Sequence, residues 1–211
     1  MITYYAKRAH EYEKLYHRPE RQDDLNRLIA EVQRVLSGRS VLEIACGTGY
    51  WTYRLSPVVE RILSTDINEE VIAIARSKSY SKNNVVFEQR DLNNLSEFAG
   101  QFSAGFGGFI WSHFLLNELP DFLDDFHALF KPGSRMVFLD NCYVEGSSTP
   151  IAFHDPDGNS YQHRTLEDGS IHTVVKNFPT ETFVRDLLQS RAKEIHWQTF
   201  RYFWLLSYTL K

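Results

Sequence analysis

The segment VLEIACGTGYWT, residues 41–52, constrains this chain more than any other. An apolar run of strand length enters a turn carrying Gly47 and Gly49, and a helix begins directly after it. Glycine there lets the backbone approach a ligand with no Cβ in the way, and the helix N-terminus offers free N–H groups. The third glycine of a dinucleotide-binding fingerprint is missing, with Thr52 in its place, so a pyrophosphate cradle is poorly supported.

Around this turn, short apolar runs alternate with helical ones. Residues 40–45, 60–67, 85–91, 104–111 and 135–142 read as five strands. Between them fall helices at 50–55, at 69–77 with Asn68 as cap and Glu69 and Glu70 complementing the dipole, and at 121–130, stopped by Lys131-Pro132-Gly133. Upstream, Tyr5, Ala9, Tyr12, Leu15 and Tyr16 recur at helical spacing, and Leu25, Leu28, Ile29, Val32, Val35 and Leu36 mark an amphipathic helix at 24–36. Such alternation implies right-handed βαβ units around a parallel sheet covered on both faces. The last third differs. Residues 145–158 read as loop, 161–166 and 171–175 as a β-hairpin inserted after the fifth strand, and 180–190 as a helix. Two alternating stretches within 194–210 should pair as antiparallel strands.

Composition removes several classes. At 211 residues and 43% hydrophobic, the chain suits one domain with a real core. No apolar run reaches the roughly 18–20 residues of a membrane span. The N-terminus, MITYYAKRAHEYEK, lacks the basic-then-apolar layout of a secretory signal. Cys46 and Cys142 make no disulfide scaffold, and no Cys/His cluster suggests zinc, so the expected location is cytoplasmic. A formal charge of −4 with scattered cations argues against a nucleic-acid partner.

The acids sharpen the reading. Asp66 ends the second strand and Asp91 the third, at the carboxyl edge where open α/β sheets bind ligands. A carboxylate at the first place suits a ribose diol, and one at the second suits an adenine amino group. Glu43, inside the first strand, would face a cationic amino group. Together they suit a ligand with ribose, adenine and positive charge but no phosphate.

This ordered set resembles the class I S-adenosylmethionine (SAM)-dependent methyltransferases. Residues 43–49 (EIACGTG) match the family's first motif, Asp66 its ribose acid and Asp91 its adenine-side acid. The stretch LFKPGSRMVFLDN, residues 129–141, is similar to its Leu-Lys-Pro-Gly-Gly turn, with Phe130 and Ser134 as departures; Tyr50 stands where a third glycine is common. The resemblance implies an α/β, Rossmann-like, mostly parallel seven-stranded sheet with helices on both faces, an antiparallel C-terminal strand pair and the hairpin insertion after strand five. One domain of residues 1–211 would then comprise N-terminal helices (1–38), a cofactor-binding core (40–142), a substrate-covering insert (145–177) and a C-terminal helix and strand pair (180–211). The implied cofactor is SAM, leaving as S-adenosylhomocysteine (SAH), bound by Tyr16, Glu43, Ala45, Gly47, Gly49, Asp66, Ile67, Asp91, Leu92 and Ser112. YYAKRAHEYE, residues 4–13, looks like the lid helix of small-molecule members, with Tyr5 or Tyr16 reaching the cofactor; the other reading makes these tyrosines core contacts.

Methyl transfer from a sulfonium expels a neutral thioether, so alignment and desolvation can carry the catalysis, and a base matters only when the nucleophile must lose a proton. His113, directly after the fourth strand, is the candidate base, and Tyr5 a second catalytic candidate; a half-buried histidine packing beside Phe114 is the alternative. The Asp/Asn-Pro-Pro-aromatic motif of DNA amino-methyltransferases and the Pro-Cys nucleophile of cytosine C5 enzymes are absent. Asp140-Asn141 matches part of the magnesium site of catechol-type enzymes, but the further acid after strand four is missing, so no metal is expected. Residues 155–159, DPDGN, open like a calcium loop yet lack its closing Glu and read as a turn. The insert and N-terminal helix would enclose a small aromatic or heterocyclic acceptor, methylated at N, O or carbon. An RNA or protein methyltransferase, with an open basic groove, and a donor-binding protein without turnover are the rival readings.

Overall fold

In β1 (Ser40–Ile44), neighbouring side chains part to the two faces of a sheet. Val41 joins a buried cluster with Leu28, Val32 and Leu36 of α1 (Gln22–Leu36) and with Trp51 and Leu55 of α2 (Tyr50–Leu55). Leu42 and Ile44 join a second cluster on the opposite face. That cluster holds Leu119, Leu123 and Phe126 of α4 (Leu119–His127) and Val184 and Leu188 of α5 (Glu181–Leu188); α3 spans Glu69–Arg76. These facts come from a computed structural model that describes residue 13, residues 16–166 and residues 168–211.

Strands β2 (Arg61–Asp66), β3 (Val85–Gln89), β4 (Ala104–Gly108) and β5 (Arg135–Asn141) run parallel to β1. β10 (Phe203–Leu210) pairs antiparallel with both β5 and β9 (Ala192–Thr199), completing a seven-stranded sheet in the order β3-β2-β1-β4-β5-β10-β9. The expected sheet, helices on both faces and antiparallel terminal pair are all present. Because β2 and β4 flank β1 on opposite sides, a crevice opens beyond the carboxyl ends of β1 and β4.

Several boundaries differ from the sequence expectation. β4 ends at Gly108 rather than 111, because Phe109 takes a left-handed φ of 60° and a 3₁₀ turn follows at Trp111–His113. α4 starts at Leu119, so Pro120 lies in the first turn, where its missing N–H costs nothing, and the helix stops at His127. The Asn68 side chain makes no capping bond; its backbone N donates to Asp66 Oδ1 at 3.0 Å instead. α3 ends at Arg76, and α1 begins at Gln22.

The insert is a three-stranded sheet, since β6 (Phe153–His154) joins the expected hairpin of β7 (Ser160–Thr165) and β8 (Ile171–Val175). It is fastened to the segment after β4. Asn177 donates from its backbone N to Ser112 O (2.8 Å) and from Nδ2 to Phe114 O (2.9 Å), while Asn159 Oδ1 accepts from Leu116 N (2.8 Å). Residues 155–159 form a turn in which Asp155 Oδ1 accepts from the backbone N of Asp157 and Asn159. Among the described residues, no helix is long and apolar enough to cross a membrane.

Candidate functional site

The turn after β1 places Ala45, Gly47 and Gly49 in the left-handed region, with φ of 51°, 54° and 74°. Asp66, at the end of β2, holds this turn: Oδ2 accepts from Gly47 N at 2.9 Å while Oδ1 takes the Asn68 N–H. Burial pushes the Asp66 carboxyl above the ordinary carboxylate range, and the backbone donors from Asn68, Gly47 and Ile67 work against that rise. A carboxylate has about four acceptor sites, so Asp66 keeps acceptor capacity for a ligand.

Along the carboxyl edge lies a cavity of about 700 Å³. Ala45, Gly47, Asp66, Ile67, Asp91, Leu92 and His113, all singled out from the sequence, stand on its wall. Phe109 and Phe114, aromatics that the sequence places at the floor of the site, stand there too, as do Asn68, Asn93, Leu95 and Ile110, which were missed. Asp91 Oδ1 accepts from the backbone N and the Nδ2 of Asn93, both at 2.9 Å, which fixes the loop that carries it. Arg90 is the one Lys or Arg on the described wall, and its charge is matched by Glu88 and Glu97 at 2.8 Å each.

Four expected cofactor contacts sit elsewhere: Tyr16, Glu43, Gly49 and Ser112. Glu43 lies beneath the turn, 2% exposed, with Oε2 accepting from Thr52 Oγ1 (2.5 Å) and Ser64 Oγ (2.7 Å). Burial lifts its carboxyl to about 7 despite those hydroxyls. Thr52, the residue in the third glycine's place, is therefore the hydroxyl that holds Glu43. Gly49 packs against α3, where an added Cβ would stand 2.8 Å from Ala75 Cβ. Ser112 is fully buried: its Oγ donates to Asp140 Oδ2 (2.7 Å) and accepts from Lys176 Nζ (2.6 Å).

A second cavity, of about 70 Å³, lies on the insert side. Its wall includes Tyr16, Arg18, Arg21, Asn141, Ser147, Gln162, Arg164, Lys176 and Phe178, and it shares Phe109 and His113 with the larger one. Tyr16 belongs to this cavity rather than the first, and stacks on Tyr50 at 3.7 Å between ring centroids. Tyr5 and most of the expected lid helix lie outside the described residues.

His113 is neutral here. Its Nδ1 meets Val175 O at 2.7 Å, which assigns the ring proton to Nδ1 and leaves Nε2 as the basic atom. Burial, then the Lys176 charge, lowers its pKa to about 3. Phe109, a non-glycine at φ 60°, stores backbone strain of about 1–3 kcal/mol where the two cavities meet. Asp140, fully buried, accepts from Lys176 Nζ (2.6 Å), Ser112 Oγ and Asn141 N (2.7 Å), and the Lys176 charge helps hold its pKa down. Among the described residues no three His, Cys, Asp or Glu side chains group as metal ligands.

Residues 41–133 match a family described as a methyltransferase domain. The demethylmenaquinone methyltransferase of Lactococcus lactis subsp. lactis (strain IL1403) is 31% identical over 119 residues, covering 51% of this chain and 44% of that protein. This chain therefore spans less than half the length of that curated relative. Among solved structures, a DhpI–SAH complex superposes with a TM-score of 0.80 at 24% identity, covering 99% of this chain and 94% of that one. A DhpI–SAM–HEP complex gives 0.77 at 25% identity, covering 98% and 94%.

Proposed function

We propose that this chain, whose residues 41–133 match a methyltransferase domain, is a class I SAM-dependent enzyme that moves a methyl group from SAM to a small-molecule acceptor held in the insert-side cavity. The observation that carries this reading is the junction: the cavity along the sheet edge and the cavity under the insert meet at Phe109 and His113. A DhpI structure in complex with both SAM and HEP supports a site with two occupants.

The donor cavity suits SAM by its chemistry, with Asp66 and Asp91 on its wall and its one described cation already paired. Asp66 would accept from the ribose hydroxyls and Asp91 from the adenine side, while Gly47 admits the ligand close to the backbone. When bound, SAM supplies a methyl group on a cationic sulfonium that departs as a neutral thioether. The chain supplies alignment and exclusion of water. The insert, fastened through Asn159 and Asn177, roofs the acceptor. With its pKa held at about 3, His113 is a weak base, so it lines the junction while alignment and desolvation carry the transfer. The rings of Tyr16, Phe109, Phe178 and Phe203 line the acceptor cavity, but its volume of about 70 Å³ suits a compact acceptor better than the aromatic or heterocyclic one expected from the sequence.

Calorimetry with SAH, followed by SAH release measured over a panel of small acceptors, tests the proposal. The expected result is SAH binding together with acceptor-dependent turnover. Folded protein that fails to bind SAH would overturn it, and tight SAH binding without turnover on any acceptor would favour a donor-binding protein.

A further inference from the structure

We propose that the insert-side cavity recognises an oxyanion, so that the methyl acceptor carries a carboxylate or phosphoryl group; this rests on the methyl-transfer reading above. Three guanidiniums, from Arg18, Arg21 and Arg164, converge on one small cavity from opposite ends of the chain, and Lys176 joins them. The cavity wall includes no Asp or Glu among the described residues.

The charge balance is incomplete. Lys176 is matched by Asp140. The three arginines meet neutral acceptors instead: Arg18 Nη1 donates to Ser147 O (2.9 Å), Arg21 Nη2 to Ser147 Oγ (2.9 Å), and Arg164 Nη2 to Gln162 Oε1 (2.6 Å). None of the three forms an ion pair with a described carboxylate. Glu20, the acid that acts on Arg21 at longer range, is exposed to solvent.

Arg21 makes the case most strongly. It is only 8% exposed, its Nε is buried without a hydrogen-bond partner, and its guanidinium lies 5.1 Å from the centre of the Tyr202 ring. Burial and the neighbouring Arg18 charge both disfavour its cation. Like charges held together out of water are costly unless an anion joins them, and a planar fork of N–H donors matches the oxygens of a carboxylate or phosphoryl group. The donor cavity does not include these arginines, so the anion they await is placed on the acceptor side.

Titration of SAH-loaded protein with inorganic phosphate and, separately, acetate tests this, with sodium chloride at matched ionic strength as control. Wild type should bind one of the two probes; the preferred probe separates a phosphoryl from a carboxylate acceptor. Arg164→Gln, on a half-buried strand of the insert, should weaken that probe about ten-fold or more while SAH affinity changes less than about two-fold. Arg21→Lys, which keeps the charge but loses the fork, should also weaken it. Failure of both probes to bind a protein that binds SAH would overturn the oxyanion inference alone. Equal losses of SAH affinity in both variants would assign the arginines to the donor's own carboxylate and overturn it as well. Failure of wild type to bind SAH would instead remove the methyl-transfer reading beneath it.

Discussion

The two cavities that meet at Phe109 and His113 are built on opposite electrostatic plans. The sheet-edge cavity carries Asp66 and Asp91 and a cation already matched by two glutamates. The insert-side cavity carries three guanidiniums and Lys176, with no acid on its described wall. A cationic donor and an anionic acceptor would each find the complementary side, and the junction would bring them together. The difference also concerns construction. The first cavity hangs on strand ends of one sheet, whereas the second exists only where the insert is fastened to that sheet.

That fastening is the place where the comparison is easiest to break. Lys176, 4% exposed, and Asp140, fully buried, pair at 2.6 Å across the seam. Lys176→Met leaves a buried carboxylate uncompensated and should cost about 3–5 kcal/mol in urea unfolding. Adding Asp140→Asn should recover part of it. A loss below about 1 kcal/mol would mean that the Asn159 and Asn177 contacts hold the insert without help from the ion pair.

Two buried groups, Glu43 and His113, should answer pH in opposite directions. Glu43 has a folded pKa of about 7, above its ordinary 4.5, so folding takes up a proton between those values. Stability therefore falls as pH rises through that window, by on the order of 3 kcal/mol, and Glu43→Gln should remove the slope. His113 has a folded pKa of about 3, below its ordinary 6.5. Its contribution is fully present above 6.5 and is lost as pH falls toward 3, and His113→Gln should flatten that acid limb. Thermal unfolding across pH 3–8 separates the two, and an unchanged profile in Glu43→Gln would contradict the burial argument for that carboxyl.

At the sheet-edge cavity alone, Asp66→Ala removes the clamp on Gly47 N–H and the acceptor proposed for the ribose. SAH affinity should drop by about 1–3 kcal/mol in calorimetry, while phosphate or acetate binding is measured on the same protein. A folded variant with unchanged SAH affinity would remove Asp66 from the donor's contacts.

The sheet-edge cavity was legible because its signals are local and ordered: one strand, a two-glycine turn, and acids at the tips of the next two strands. Where that reading placed residues differently from the structure, strand alternation supplies the reason. Glu43 shares the parity of Val41, which faces α1 and α2, so its carboxylate goes under the helix rather than toward the cavity. Gly49 answers a packing demand from Ala75 that no local pattern reveals. The acceptor side was largely illegible. Arg18 and Arg21 lie more than 140 residues from Arg164, and scattered cations in one sequence do not announce that they converge. The pairing of Asp140 with Lys176 was equally hidden, because the lysine arrives from the insert. Nor does phenylalanine at 109 signal a left-handed residue, yet that φ ends β4 and turns the ring into the junction.

The smallest expected effect is the control for all of these. Thr180 caps α5, its side chain accepting from Phe183 N at 3.2 Å, and it stands on neither cavity. Thr180→Ala should cost about 1 kcal/mol of stability through the unsatisfied helix N–H. SAH and oxyanion affinities should both stay within about two-fold of wild type, since a cap loss of this size leaves the folded population nearly intact. Were Thr180→Ala to weaken one ligand and spare the other, general destabilisation would already discriminate between the cavities. The selectivity expected of Asp66 and Arg164 would then lose its electrostatic meaning.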